Sequence, residues 1–241
     1  MIKPAWMGML AGAIAFGTAQ GAVELTATER TWLEAALPVL MYAREQRLPL
    51  DIIVQPQPTP GEPPMGMAYL DGRCKLVLSM RGNAEAQATL DRIPAGLVGP
   101  VVEAIAAHEL GHCWRHLRQS WGTVPAGIGQ QPLADHLKPE QIELLTEMWR
   151  TRREEAYADM VGLAWTHRHH PALYAQVQAW HVRLRAEQMV DTGPHDTRAW
   201  VRLASDPARF ARAETIFEQA APLWEAGLRA ENWLTPLAQA R

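Results

Sequence analysis

Cysteine is scarce in this chain: Cys74 and Cys113 are the two it has among 241 residues. Neither stands near the N-terminus, which excludes a lipid anchor on a cysteine there. Blocks of like charge are missing too. With 23 Lys and Arg against 26 Asp and Glu the formal charge is −3, and no basic run points to nucleic acid. Past the N-terminus, no apolar run approaches the roughly 20 residues that a membrane-spanning helix needs. No internal repeat is visible. What remains is a composition of 48% apolar and 20% charged residues, that of one folded domain with its own core. The ten tryptophans are scattered, as suits core and helix contacts.

Met1 to Ala22 reads as a leader rather than as fold. Lys3 supplies a positive n-region and Ala5 to Ala19 an apolar stretch too short to span a bilayer comfortably. Ala19-Gln20-Gly21 offers a cleavage signal, so residues 1–21 are read as a signal peptide and the protein as exported, periplasmic or secreted. An uncleaved anchor is the alternative. In an oxidising compartment Cys74 and Cys113 can pair. The bridge would close a loop of about forty residues, worth about 4 kcal/mol in the chain-entropy model. Two buried free thiols are the other reading.

Residues 22–241 are read as a single domain in three stretches: 22–55, 65–117 and 139–241. Apolar spacing at Trp32, Leu33, Ala36, Leu37 and Leu40 predicts a helix over 26–47, with threonines suited to capping. Leu50 to Val54 is a β-branched run and predicts a strand. Pro56 to Pro64 is proline-rich linker. Asp71-Gly72 between 67–70 and 73–80 predicts a two-residue hairpin. A short polar helix around 84–90 follows, then Gly99-Pro100 opens an apolar helix through about Leu117. Gln119 to Lys138 is a long Gly- and Pro-rich loop, a length that often carries function. Lys138-Pro139-Glu140 starts a long helix ended by Pro171, and three more helices follow, broken near Asp191–Pro194 and Asp206–Pro207. The order predicts an α+β fold: a small antiparallel sheet packed on the 99–117 helix, then a mostly helical C-terminal half.

That helix carries His108-Glu109-Leu110-Gly111-His112. Residues four apart share a helix face with Cβ atoms about 5–6 Å apart, so two imidazoles can converge on one metal ion. Zinc accepts such nitrogens and, in catalytic sites, keeps one position for water. Glu109 then stands where a general base for that water is needed. Two histidines do not complete such a site. Glu155 and Asp159, four apart on a later helix, can act together: Glu155 as the third ligand and Asp159 accepting the free ring N–H of a ligand histidine. A solvated helix face is the competing reading. Glu154 lacks an Asp four residues on. His116 lies about 12 Å along the axis from His108, too far for the same ion. His167, His169 and His170 suit a helix C-terminus, where positive charge complements the dipole. The metzincin pattern needs Gly and His where this chain has Arg115 and Arg118, and is excluded.

The HExxH together with Glu155-Ala156-Tyr157-Ala158-Asp159-Met160-Val161-Gly162 resembles the gluzincin metallopeptidases, and within them the M48 peptidases with their E-x-x-A-D-x-x-G/A pattern. The likeness spans roughly residues 50–203 and suits the family's small exported members. It implies a zincin-like fold, one Zn2+ on His108, His112 and Glu155, and Asp159 orienting His108. It also implies an edge strand that receives substrate by strand addition, here Cys74 to Met80. Gly193-Pro194-His195-Asp196-Thr197-Arg198 is similar to the family's downstream His and Arg but reorders the His-Pro pair. His195 is therefore a candidate oxyanion stabiliser, or else a solvated histidine near a helix N-cap.

The expectation is a zinc metalloendopeptidase that hydrolyses peptide bonds of exported or misfolded proteins. Its partner would be an extended polypeptide, with residues 119–138 as a lid. A zinc-stabilised, non-proteolytic binding or chaperone-like protein is the alternative, and a helical scaffold with an incidental motif is a third reading.

Overall fold

The structure is a computed structural model that describes residues 24–55, 62–128, 137–187 and 193–230. Five stretches the sequence analysis used lie wholly or partly outside the described residues. They are the leader, the linker residues 56–61, the loop centre 129–136, the break at 188–192, and the last eleven positions.

Helix α1 (Ala27–Glu45) begins at a capping box: Glu29 N–H donates to Thr26 Oγ1, and Thr26 N–H donates to the Glu29 carboxylate. Glu29 is fully buried and held by Arg81. Burial alone would raise its pKa; Arg81 and the Thr26 N–H outweigh that and lower it. Trp32, Ala36, Val39, Tyr42 and Ala43 form the core face. Leu37, expected on that face, is 52% exposed. The buried stripe passes through Ala36, one helical step of about 100° away.

Strands β1 (Leu50–Val54), β2 (Met65–Leu70) and β3 (Arg73–Leu78) form one sheet in the order β1-β3-β2. The β2–β3 hairpin turns on Asp71 and Gly72, with φ of 52° and 74°, the left-handed pair that a tight two-residue turn requires. The expected antiparallel sheet is corrected to a mixed one. β1 pairs parallel to β3, with Leu50 opposite Cys74 and Val54 opposite Leu78. The hairpin already occupies one side of β3, so β1 docks on the other, and the chain between them is long enough for the crossover that parallel pairing needs. Cys74, Leu76 and Leu78 turn inward.

Helix α2 (Ala84–Arg92) is capped by Asn83. Helix α3 (Val98–Leu117) and the long helix α4 (Pro139–His169) form the centre of the molecule. Almost every residue of α3 from Val101 to Cys113 is buried, as is α4 from Arg152 to Thr166 apart from Glu155. Two glycines let these helices touch. A Cβ on Gly162 would lie 2.6 Å from the Ala104 carbonyl oxygen, and one on Gly111 3.0 Å from Ala158 Cα. A disulfide between Cys74 and Cys113 fastens β3 to α3. Of the two readings of these cysteines, the bridge is the one found.

Helices α5 (Tyr174–Glu187), α6 (Arg198–Leu203) and α7 (Ile216–Ala230) complete the fold, with single 3-10 turns at Pro171–Leu173 and Pro207–Arg209. These are the three late helices and the Asp206–Pro207 break that the sequence predicts. Trp32, Trp165 and Trp200 are fully buried. Among the described residues no helix is long and apolar enough to cross a membrane.

Candidate metal centre

Because α3 and α4 cross on glycine, side chains one turn from the crossing meet. His108 and His112 from α3 and Glu155 from α4 converge, with ligand atoms all within 4.8 Å of one another. The two Nε2 atoms are 3.1 Å apart; Glu155 Oε2 stands 3.5 Å from His108 Nε2, and its other oxygen, Oε1, 3.4 Å from His112 Nε2. An ion bound tetrahedrally at about 2.0–2.2 Å sets its ligand atoms about 3.3–3.6 Å apart. The observed separations are close to these, and the three side chains could hold one such ion.

Asp159 stands behind His108. Its Oδ1 lies 2.9 Å from His108 Nδ1, and a carboxylate can only accept, so Nδ1 carries the proton and Nε2 keeps its lone pair for the ion. Asp159 is fully buried, which alone would raise its pKa. Arg185 and His108 reverse this and hold it well below the usual carboxylate range. Arg185, from α5, donates to both carboxylate oxygens and stands 3.5 Å from Glu155. Glu155 is partly buried, which alone would raise its pKa, yet it is held low by His112, His108 and Arg185. Burial would lower the His112 pKa, but Glu155 outweighs it and raises it to about 9. An ion entering this site must therefore displace a proton.

Glu109 lies beside the ligands, and burial raises its carboxyl pKa against the pull of His108 and His112. All of these groups open into a cleft of about 580 Å³. His116 and Trp121 line it and belong to an aromatic ladder: Tyr69 stacks on His116 at 5.1 Å, His116 on Trp121 at 4.0 Å, and Trp121 stands 5.5 Å from His112. His116 is thus wall rather than ligand.

No family model, curated protein or solved structure matches this chain.

The other sequence candidates fall where chemistry sorts them. Glu154 turns away from the cluster and holds Arg115 at 2.7 and 2.9 Å and the Gly122 N–H at 2.8 Å. Those bonds tie the first residues after α3 down onto α4. His170 and Trp165 both bond Glu103, and His169 stacks on Trp165, so the histidines at the end of α4 serve packing. His195 stands at the cleft mouth, its side chain 51% exposed and its Nε2 3.8 Å from Glu155. Arg198 turns back to Asp196.

The strand expected to receive substrate is also corrected. Residues 74–80 cannot receive a substrate strand, because β3 is the central strand with partners on both sides. The edge beside the cleft is β2, and Met65, Gly66 and Met67 line it. Ser79 N–H donates to Pro64 C=O, so by antiparallel alternation Met65, Met67 and Tyr69 turn their backbone groups away from β3.

Three residues of the site were not found from sequence. Arg185 and His181, four apart on α5, line the cleft, and Thr197 bonds Asp159. Burial pushes His181 down to about 4, so it is neutral at neutral pH. A His and an Arg on one helical stripe was the available signal, but nothing local ties that stripe to Asp159.

Proposed function

We propose that this protein is a zinc-dependent endopeptidase of the gluzincin type, M48-like, acting on exported polypeptides. The observation that carries this reading is the combination in one cleft of His108, His112 and Glu155 close enough to share one ion, Asp159 behind them and Glu109 beside them. Two imidazoles and one carboxylate are a donor set of catalytic zinc, and they leave a position for water. When bound, zinc would acidify that water and polarise the scissile carbonyl.

The remaining work falls to the protein. Glu109 takes the proton of the attacking water as the C–O bond forms, and delivers it to the leaving nitrogen as the C–N bond breaks. Its raised pKa suits a group that must hold a proton between those steps. His195, at the cleft mouth, donates toward the oxygen on which negative charge develops. An extended chain pairs with the outward backbone groups of Met65 and Met67 on β2. A site with a purely structural ion has no use for Glu109 or for an open cleft.

Metal analysis and cleavage of an unfolded protein test this together. The expected result is stoichiometric zinc, cleavage that stops with chelator and returns with zinc. Protein without zinc, or zinc-loaded protein that leaves unfolded chains intact, would overturn it.

A further inference from the structure

Asp159 carries more bonds than one ligand histidine requires. Oδ1 accepts from His108 Nδ1 at 2.9 Å and Arg185 Nη2 at 2.6 Å; Oδ2 accepts from Arg185 Nε at 2.9 Å and Thr197 Oγ1 at 2.5 Å. A carboxylate has about four lone-pair sites, so Asp159 is saturated. Thr197 is fully buried and stands at the N-cap position of α6, where a threonine hydroxyl ordinarily caps the first turn. Here it makes no capping bond and goes to Asp159 instead.

Thr197 also closes a turn. Thr197 N–H donates to His195 C=O at 2.9 Å and Asp196 N–H to Gly193 C=O at 3.1 Å. At the far end, Arg152 Nε donates to the same Gly193 carbonyl at 3.1 Å. Arg152, Glu155 and Asp159 are spaced i, i+3, i+7 on α4 and form one stripe. This stripe grips the turn at both ends, and His195, between the grips, is the residue held beside Glu155.

We infer that Thr197 is the positioning residue of His195, and that Asp159 sets a metal ligand with one oxygen and the His195 turn with the other. The role given to His195 rests on the peptidase reading; its placement does not. Two readouts keep these separate.

The first is the ring NMR signals of His195 in the full chain, with and without zinc, assigned by their loss in His195→Gln. Thr197→Val should move them, Thr197→Ser should return them, and zinc content should stay at the wild-type level. If Thr197→Val does not fold, Arg152→Gln loosens the other end of the turn and should move the same signals. His195 signals unmoved by loss of the hydroxyl or of the Arg152 grip would overturn the inference.

The second readout is a double-mutant cycle. Thr197→Val should lower kcat about tenfold, in the range of lost outer-shell contacts, and have no further effect in a His195→Gln background. Equal losses with and without His195 would mean that Thr197 acts otherwise, and would also overturn it. A wild type that cleaves nothing ends the peptidase reading and leaves the NMR result to decide the placement.

Discussion

His108, Glu109 and His112 could be recognised as a unit because their chemistry is local: i, i+4 spacing alone puts both imidazoles on one face. Glu155 and Asp159 were legible for the same reason. Arg185 and Thr197 were not, since each meets Asp159 only through tertiary packing of α5 and the turn before α6. Their importance follows from charge. Asp159 is fully buried, and without Arg185 it would be left with a hydroxyl and an imidazole as partners. Arg185→Gln should therefore weaken zinc binding by about 10–100-fold, as for other lost outer-shell partners. Competition against a chelator of known affinity measures this; unchanged affinity would show that the guanidinium is not needed to hold the carboxylate.

Among elements, strand and helix positions were legible from periodicity and turn chemistry, but partners were not. Alternation along β3 shows which face is buried; it does not show that both edges are taken. The free edge expected at β3 therefore belongs to β2. Gly162 shows the reverse case: part of the sequence motif, with its physical reason visible only where α4 crosses α3. Its missing Cβ would lie 2.6 Å from the Ala104 backbone oxygen, which has no rotamer by which to yield. Gly162→Ala should cost about 1–3 kcal/mol, typical of overpacking, and should weaken metal binding by drawing Glu155 away from the histidines. Urea denaturation and zinc titration of this variant check both effects. Loss of stability with full zinc affinity would mean that the crossing does not set the site.

For the molecule as a whole, the sheet and α3 are joined covalently, and Cys113 directly follows the candidate ligand His112. The bridge closes a sequence separation of 39 residues. In the chain-entropy model, its reduction should lower stability by about 4 kcal/mol. Denaturant midpoints with and without reductant measure this; an unchanged midpoint would place the stability of the fold elsewhere. The α+β class was legible from element order. The mixed sheet was not, because β1 reaches β3 only through a crossover that local sequence does not encode.

The central claim is that Glu109 acts as the base beside a metal held by other residues, so zinc and activity can be separated by a single atom exchange. The decisive measurement compares wild type and Glu109→Gln, each with its zinc content determined, in cleavage of an unfolded protein. One zinc per chain is expected in both, with cleavage by the wild type alone. Cleavage by Glu109→Gln at the wild-type rate, with the same zinc content, would contradict it.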